Sequence, residues 1–443
     1  MSASAPGTDL TAKVVAAFQQ YEQTLNGAAE TPLHAMRRAA LDQFVQLGFP
    51  TPRHEEWKYT NVAPIIRRDY RLATQPGGAT IDAAFVRSVL PADLDADLMV
   101  FVDGWYNADL SATAGQAGLT ITNLGASAHG AMPAEVQNAR RAAVDANGFV
   151  ALNTALALDG AIITVKAGVE LARPILLLNI CDAQDGDAMS ALRCVVQLEA
   201  NARAQLIELN AARGDGHSLQ TRVAEIQVAR GARLDHIMLQ DQAAQNYQHN
   251  HTQVDQERDS LYRNVVAALG GGFVRNDLNI ALNGEAAHAD MFGLSLLDDR
   301  EFVDNHTLVD HRVPNCTSNE LYKGIYDGRS VGVFNGKIIV RPDAQKTNAF
   351  QSNRNVLLSD GATVNTKPQL EIFADDVKCS HGATSGQFDA DALFYLRSRG
   401  LSRESARTIL MHAFAVEVLD QIPVEALRVH LEHQLSSSTS FDV

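Results

Sequence analysis

What the chain has little of narrows its class first. Its 443 residues include only four cysteines, at positions 181, 194, 316 and 379. No two of them form a Cys-x-x-Cys pair, so a closed zinc finger is unsupported, and a reducing compartment would keep them as thiols. Cys181 and Cys194 sit in or beside apolar runs and read as small core residues. Positive charge is scarce: 37 basic against 52 acidic residues leave a net charge of −15. That balance repels phosphate backbones and anionic lipid, so neither nucleic acid nor a membrane surface is an expected partner. Apolar runs such as Pro174-Ile175-Leu176-Leu177-Leu178 fall far short of the roughly 20 residues a bilayer crossing needs. The stretch Met1 to Leu10 has neither a basic nor an apolar export region, and a cytoplasmic location is expected. No Gly-x-x-x-x-Gly-Lys-Ser/Thr loop occurs, so ATP is not expected to bind this chain.

What is present is a chain with 46% hydrophobic residues, enough for a sizeable core and for two or three domains. Val14, Phe18, Tyr21 and Leu25 recur at helical spacing after a cap at Thr8-Asp9, with Gly27 as the stop. Thr31 and Pro32 open a second helix carrying Met36, Ala40, Phe44 and Leu47 and closing at Gly48, so a helical hairpin is predicted. The following His54-Glu55-Glu56-Trp57-Lys58-Tyr59-Thr60-Asn61 reads as a packed connection anchored by Trp57. Helix is also predicted from Ala134 to Leu158.

From Ala161 to Phe373 the period changes. Ala224, Ile226 and Val228 alternate with polar residues, as do Leu278, Ile280 and Leu282, which is the two-residue period of a strand. Turn-like landmarks at Asn201, Gly231, Asp259, Gly284, Asp327 and Asp360 recur every 26 to 33 residues or so, apart from one longer gap, as in repeat architectures. Stacked coils account for this, because each coil buries its apolar file only against its neighbours. Asn348, Gln351, Asn353 and Asn355 read as amides at the turns of neighbouring coils. Helices return at the end. Asp389 opens a stretch with Leu393, Phe394 and Leu396, and Ser402 caps one with Ile409, Leu410, Ala413 and Phe414 as its apolar face. A last helix after Pro423 carries Val424, Leu427, Leu431 and Leu435, and Ser436 to Val443 is expected to be disordered. The predicted class is mainly β: a parallel β-helix core over 161–385, a mixed helical domain over 1–160 and a helical domain over 386–443.

The chemistry-bearing stretch is Asp375-Asp376-Val377-Lys378-Cys379-Ser380-His381-Gly382-Ala383-Thr384. On a strand Cys379 and His381 share a face about 6 to 7 Å apart. If the strand continued unbroken from Leu370 and Ile372, that face would be the outward one. Nothing nearby supplies the orienting group and oxyanion donors of a nucleophilic dyad. A metal needs about four ligands where this stretch has two, and His311 and Cys316 are the further candidates. Packed, functionless side chains are the simpler reading. The specific alternative is a thiol and imidazole completed by a partner chain, where soft thiolate suits iron–sulfur chemistry.

The run Ser352-Asn353-Arg354-Asn355-Val356-Leu357-Leu358-Ser359-Asp360-Gly361, continuing through Cys379 and His381 to Phe394-Tyr395-Leu396-Arg397-Ser398-Arg399-Gly400, resembles the SufB/SufD family of iron–sulfur cluster assembly proteins. The stretch Val331-Gly332-Val333-Phe334-Asn335-Gly336-Lys337-Ile338 looks like its SufD branch, as does the lack of the extra cysteines typical of SufB. The resemblance implies a right-handed β-helix with terminal helical domains, acting as a non-catalytic scaffold in a complex with SufB and the ATPase SufC. It implies that SufB pairs end to end with this β-helix, and that SufC docks on the carboxy-terminal helices, where Ile409, Leu410 and Phe414 are the candidate contacts. His381 and Cys379 would then be ligands of iron or of a nascent iron–sulfur cluster shared with SufB, with ATP bound only by the partner. Homodimerisation of the isolated chain is left open. The rival classes are a secreted-type β-helix polysaccharide lyase or hydrolase and a stand-alone metal-binding protein. The first would need paired acids, and Asp375 and Asp376, as neighbours in a strand, face opposite sides.

Overall fold

The computed structural model describes residues 10–25, 30–77, 81–127, 133–138 and 147–437. Its centre is a parallel β-solenoid of eight coils, each giving one strand to each of two ten-stranded sheets. One sheet runs from Gly160–Val165 to Thr363–Ile372, the other from Ile175–Asp182 to Lys378–Gly386. Strands that neighbour in space are one coil apart in sequence, and successive coils stack in register, as in the pairing of Ile226 with Val254 and Ile280 with Val309.

That register builds the core. One inward file passes from Ile163 through Val196, Ile226, Val254, Ile280, Val309 and Ile338 to Leu370. All but Leu370 at the open end are fully buried. Burying each such side chain contributes about 1.5–3 kcal/mol, and β-branched residues suit the pleated surface. The predicted inward residues Ala224, Ile226 and Val228 lie in this core, as do Leu278, Ile280 and Leu282.

The corners repeat as strictly as the strands. Left-handed backbone recurs at Gly168, Asn201, Gly231, Asp259, Ala286, Asn315 and Lys346, every 27 to 33 residues. Asn, Asp and Gly reach this region cheaply, which is why the sequence showed the turns at Asn201, Gly231 and Asp259 and, through Gly284, the one beside Ala286. Asn315 and Asp299, both at positive φ, fall in the gap that the sequence landmarks left open. Corner amides bond one coil onward, as Asn201 N–H does to the Arg230 carbonyl and Asn315 N–H to that of Gln345. The ladder ends where Lys346 N–H bonds the Asp376 carbonyl at 2.6 Å.

Several expectations shift. Asn353 and Asn355 are not at turns but in the strand Asn348–Leu357, and with Gln351 they are buried. They are tolerated there because each amide N–H finds an acceptor: Gln351 on Glu320, Asn353 on the Tyr322 carbonyl, Asn355 on Asn353. Strands Asp97–Val102, Trp105–Ala112 and Leu119–Asn123, from the segment predicted as mixed, extend the two sheets. The helix expected over 134–158 is represented by Ala134–Asn138 and Gly148–Leu156, with 139–146 outside the described residues. The cap at Thr8-Asp9 and the stop at Gly27 also lie outside them. Ser436 and Ser437 continue the last helix, Glu425–Ser437, rather than being disordered, because Leu427, Leu431 and Leu435 bury its stripe; 438–443 lie outside the described residues. No helix among the described residues is long and apolar enough to cross a membrane.

The helix Gly148–Leu156 lies directly on the outer face of the first sheet, where Asn153 donates to the Leu192 and Thr221 carbonyls, and it packs against Leu10–Thr24 and Pro32–Leu47, while the His54–Asn61 connection adds Trp57. Trp57 is buried there, stacked on Phe149 and His249, with the Arg275 guanidinium 3.8 Å from its ring centre. Arg275 in turn donates to Asp304 at 2.6 Å and to Asp277 at 3.0 Å, and Thr60 donates to Asp304. His306 completes this clasp, 2.9 Å from Asp304 and facing Glu56. Burial is the largest influence on His306 and opposes its charge, as does Arg275, but the Asp304 and Glu56 carboxylates together outweigh them and the pKa is raised. A raised folded-state pKa contributes stability that is complete below the unfolded value of about 6.5 and is lost as pH rises through the folded value. The melting-temperature difference between wild type and His306→Gln is therefore expected to be largest near pH 6 and to shrink towards pH 9. A difference that stays constant across that range rules out a charged His306 in the clasp.

Candidate functional site

The last coil has one neighbour where every inner coil has two. Among the described residues Thr363–Ile372 pairs only with Val331–Val340, and Lys378–Gly386 only with Asn348–Leu357, so both present an unpaired main-chain edge. Nearly all of the final strand is exposed, and Ile372 and Phe373 stand exposed beside it, Phe373 by 59%.

Cys379 pairs with buried Ala349, and His381 with buried Gln351, so both face the inner side of the solenoid. This corrects the outward placement that an unbroken strand would have given. The corner at Ala374–Val377, anchored by the Asp376 carbonyl, resets the alternation. Cys379 is half-buried and packs on the end of the main core, while His381 is exposed on the open rung. Burial raises the Cys379 thiol above its ordinary value, opposed in part by the Ala349 N–H. A thiolate at this position is thus something a bound metal must generate, since coordination drives the proton off.

The other two candidates belong elsewhere. His311 is fully buried in the core file between Leu282 and Val340, bonded to Ser318 Oγ at 2.9 Å. Burial lowers its pKa to about 4. Cys316 is fully buried, its Sγ 3.4 Å from the Gly284 carbonyl. Ser318, Ala349 and Cys379 sit on three successive rungs, so two strand spacings, about 10 Å, separate the His311 environment from Cys379. They do not complete a ligand set with His381. Among the described residues no group of three or more His, Cys, Asp and Glu side chains is arranged to hold a metal.

Behind His381 lies a feature that the sequence did not signal. Glu320, Gln351 and His381 occupy one inward file on successive coils. Burial raises Glu320 to about 7, opposed by side-chain hydrogen bonds. A lone Glu in a strand carries no sequence mark of an inward position.

The carboxy-terminal helices also differ from expectation. Arg403–Leu419 buries Ala406, Met411, Ala415, Val418 and Leu419. Phe414, one of the candidate docking contacts, packs against the chain's own core, its ring 4.8 Å from Lys323 Nζ and its carbonyl bonded by that group at 2.9 Å. Leu410 is half-buried and Ile409 is exposed. The three do not form one open face, because the helix is rotated to satisfy the solenoid side. The exposed apolar surface lies instead on Ala390–Ser398, which buries none of its residues and leaves Phe394 73% exposed beside Tyr395.

Fold and site together define a parallel β-solenoid protein whose candidate ligands stand at an open, unpaired end. Residues 180–414, more than half of the chain, match the family model for the SUF system FeS cluster assembly SufBD core domain, and residues 8–177 match that for the SufBD protein N-terminal region. The chain is 33% identical over 428 residues to an iron-sulfur cluster assembly SufBD family protein of Synechocystis, covering 94% of this chain and 93% of that one. It is 31% identical over 420 residues to the iron-sulfur cluster assembly protein SufD of Escherichia coli, covering 93% and 94%. A chloroplastic protein of Arabidopsis thaliana matches at 32% over 290 residues, 63% of this chain and 60% of that one. The chain belongs to the SufBD family of iron–sulfur cluster assembly proteins and is a homologue of SufD.

All four cysteines are free, and Cys379 is the one that is not fully buried. Brief treatment of the native protein with a small alkylating reagent is expected to modify Cys379 at least tenfold faster than Cys181, Cys194 or Cys316, read by peptide mass analysis. Equal labelling of all four would contradict the described burial.

Proposed function

We propose that this chain is a scaffold subunit of the SUF complex, contributing ligands and surface to cluster assembly rather than a turnover of its own. The observation that carries this reading is the open end of the solenoid. Two exposed edge strands with flanking Ile372 and Phe373 are a template for another chain's strands, and proteins seldom leave such edges uncovered. A second solenoid placed end to end, as SufB would be, supplies the missing pairing. Cys379 and His381 then lie at the junction, two ligands of a site that needs about two more from the partner. The nascent cluster is cargo held across this junction. Four free thiols suit a reducing, cytoplasmic setting.

SufC would dock on the carboxy-terminal helices, with the contact moved to Phe394, Tyr395 and Ile409, whose exposure leaves them free to enter a groove. Phe414 is reassigned to packing.

Two substitutions test these assignments. His381→Ala is expected to lower the iron and sulfide content of the complex co-purified with its partners by roughly tenfold. Undiminished content removes His381 from the site. Phe394→Asp is expected to weaken retention of the ATPase subunit by about 2 kcal/mol, roughly 30-fold in affinity, without lowering the melting temperature. Wild-type retention by a folded Phe394→Asp protein rejects this docking face.

A further inference from the structure

The file behind His381 carries an unused acceptor. Gln351 is buried in the strand below His381 and directly in register with it. Its Nε2 donates to Glu320 Oε2 at 2.7 Å, on the next coil inward. That commitment leaves Gln351 Oε1 buried with no hydrogen-bond partner among the described residues. A buried, unmatched amide oxygen costs folding stability, because it has given up water without gaining a donor. Space for this side chain is built in: a Cβ added at Gly336 would lie 2.1 Å from Gln351 Nε2. The His381 rung is open, and nothing lies within 4 Å of a Cβ placed on the adjacent Gly382.

Histidines that hold metals almost always donate their second ring N–H to an acceptor, which sets the tautomer and the ring orientation. Here the adjoining rung offers one: Gln351 Oε1, buried and without a partner among the described residues. We propose that Gln351 is the positioning residue of His381: its Oε1, oriented by the Glu320 contact, accepts the ring N–H and directs the other ring nitrogen towards the junction. Glu320 acts through Gln351 by holding the amide the right way round. The inference rests on the reading of His381 as a ligand donor and adds which nitrogen donates and why.

The test is the ring tautomer of His381 in the full, metal-free chain. Nitrogen-15 spectra of histidine-labelled protein are recorded at pH 8, with the His381 signals assigned by their loss in His381→Ala. In wild type one tautomer is expected to predominate by roughly three- to tenfold more than in Gln351→Met, which removes the acceptor at nearly constant volume. Glu320→Met, which frees the amide to turn, is expected to reduce the preference as well. The double exchange Glu320→Gln with Gln351→Glu keeps both the inter-coil bond and the outer acceptor and is expected to restore it. A purely packing role for Gln351 would alter melting temperature without moving the tautomer ratio. Folded Gln351→Met with the wild-type ratio overturns the proposal, as does a folded double exchange with the Gln351→Met ratio. If Gln351→Met does not fold, the Glu320→Met and exchange spectra decide alone. Cluster content after His381→Ala tests the ligand reading and the metal-free tautomer tests this one, so either can fail without the other.

Discussion

Stacking of one coil upon the next is the constraint from which the rest follows. A single coil has an apolar file it cannot bury and a row of main-chain groups it cannot pair. Each is satisfied only by neighbours above and below, as in the file from Ile163 to Leu370. The same requirement makes the final coil different in kind. Thr363–Ile372 and Lys378–Gly386 inherit the geometry of inner strands but have no outer neighbour among the described residues. A ligand pair placed there has solvent rather than another rung on its outer side.

The two ends of the solenoid are treated differently. At the amino-terminal end, antiparallel strands Trp105–Ala112 and Leu119–Asn123 terminate the sheets. The outer face of the first sheet is closed by the helices and by the Trp57–Arg275–Asp304–His306 clasp. Arg193 and Glu225 pair at 2.6 Å beneath that cover. Glu225 alternates with inward Ala224 and Ile226 and so points away from the core. It is buried because another part of the chain lies over it, a fact that a two-residue period does not carry.

Where local chemistry decides, the chain was legible. Helix stripes, the cap at Thr31, the Asn, Asp and Gly corners and the strand period all follow from side-chain shape and backbone freedom within a few residues. Misreadings arose where a distant coil decides. The amides at 351, 353 and 355 look like turn residues until the rung below supplies acceptors for Gln351 and Asn353, and Asn353 in turn accepts from Asn355. His311 and Cys316 resemble metal ligands until the register seals both in the core. Phe414 suits docking or burial equally until Lys323, remote in sequence, comes to rest over its ring.

By itself the sequence determined the class of architecture, the repeat length, and the pairing of a thiol with an imidazole two residues apart, because these depend on spacing along one strand. Only the tertiary structure decided which face Cys379 and His381 share, that they stand on the unpaired rung, and that Gln351 waits beneath His381 with a free oxygen. The reason is that inward or outward placement is set by the corner at Asp376 and by register with coils some thirty residues away. Neighbouring residues along the chain carry no record of either.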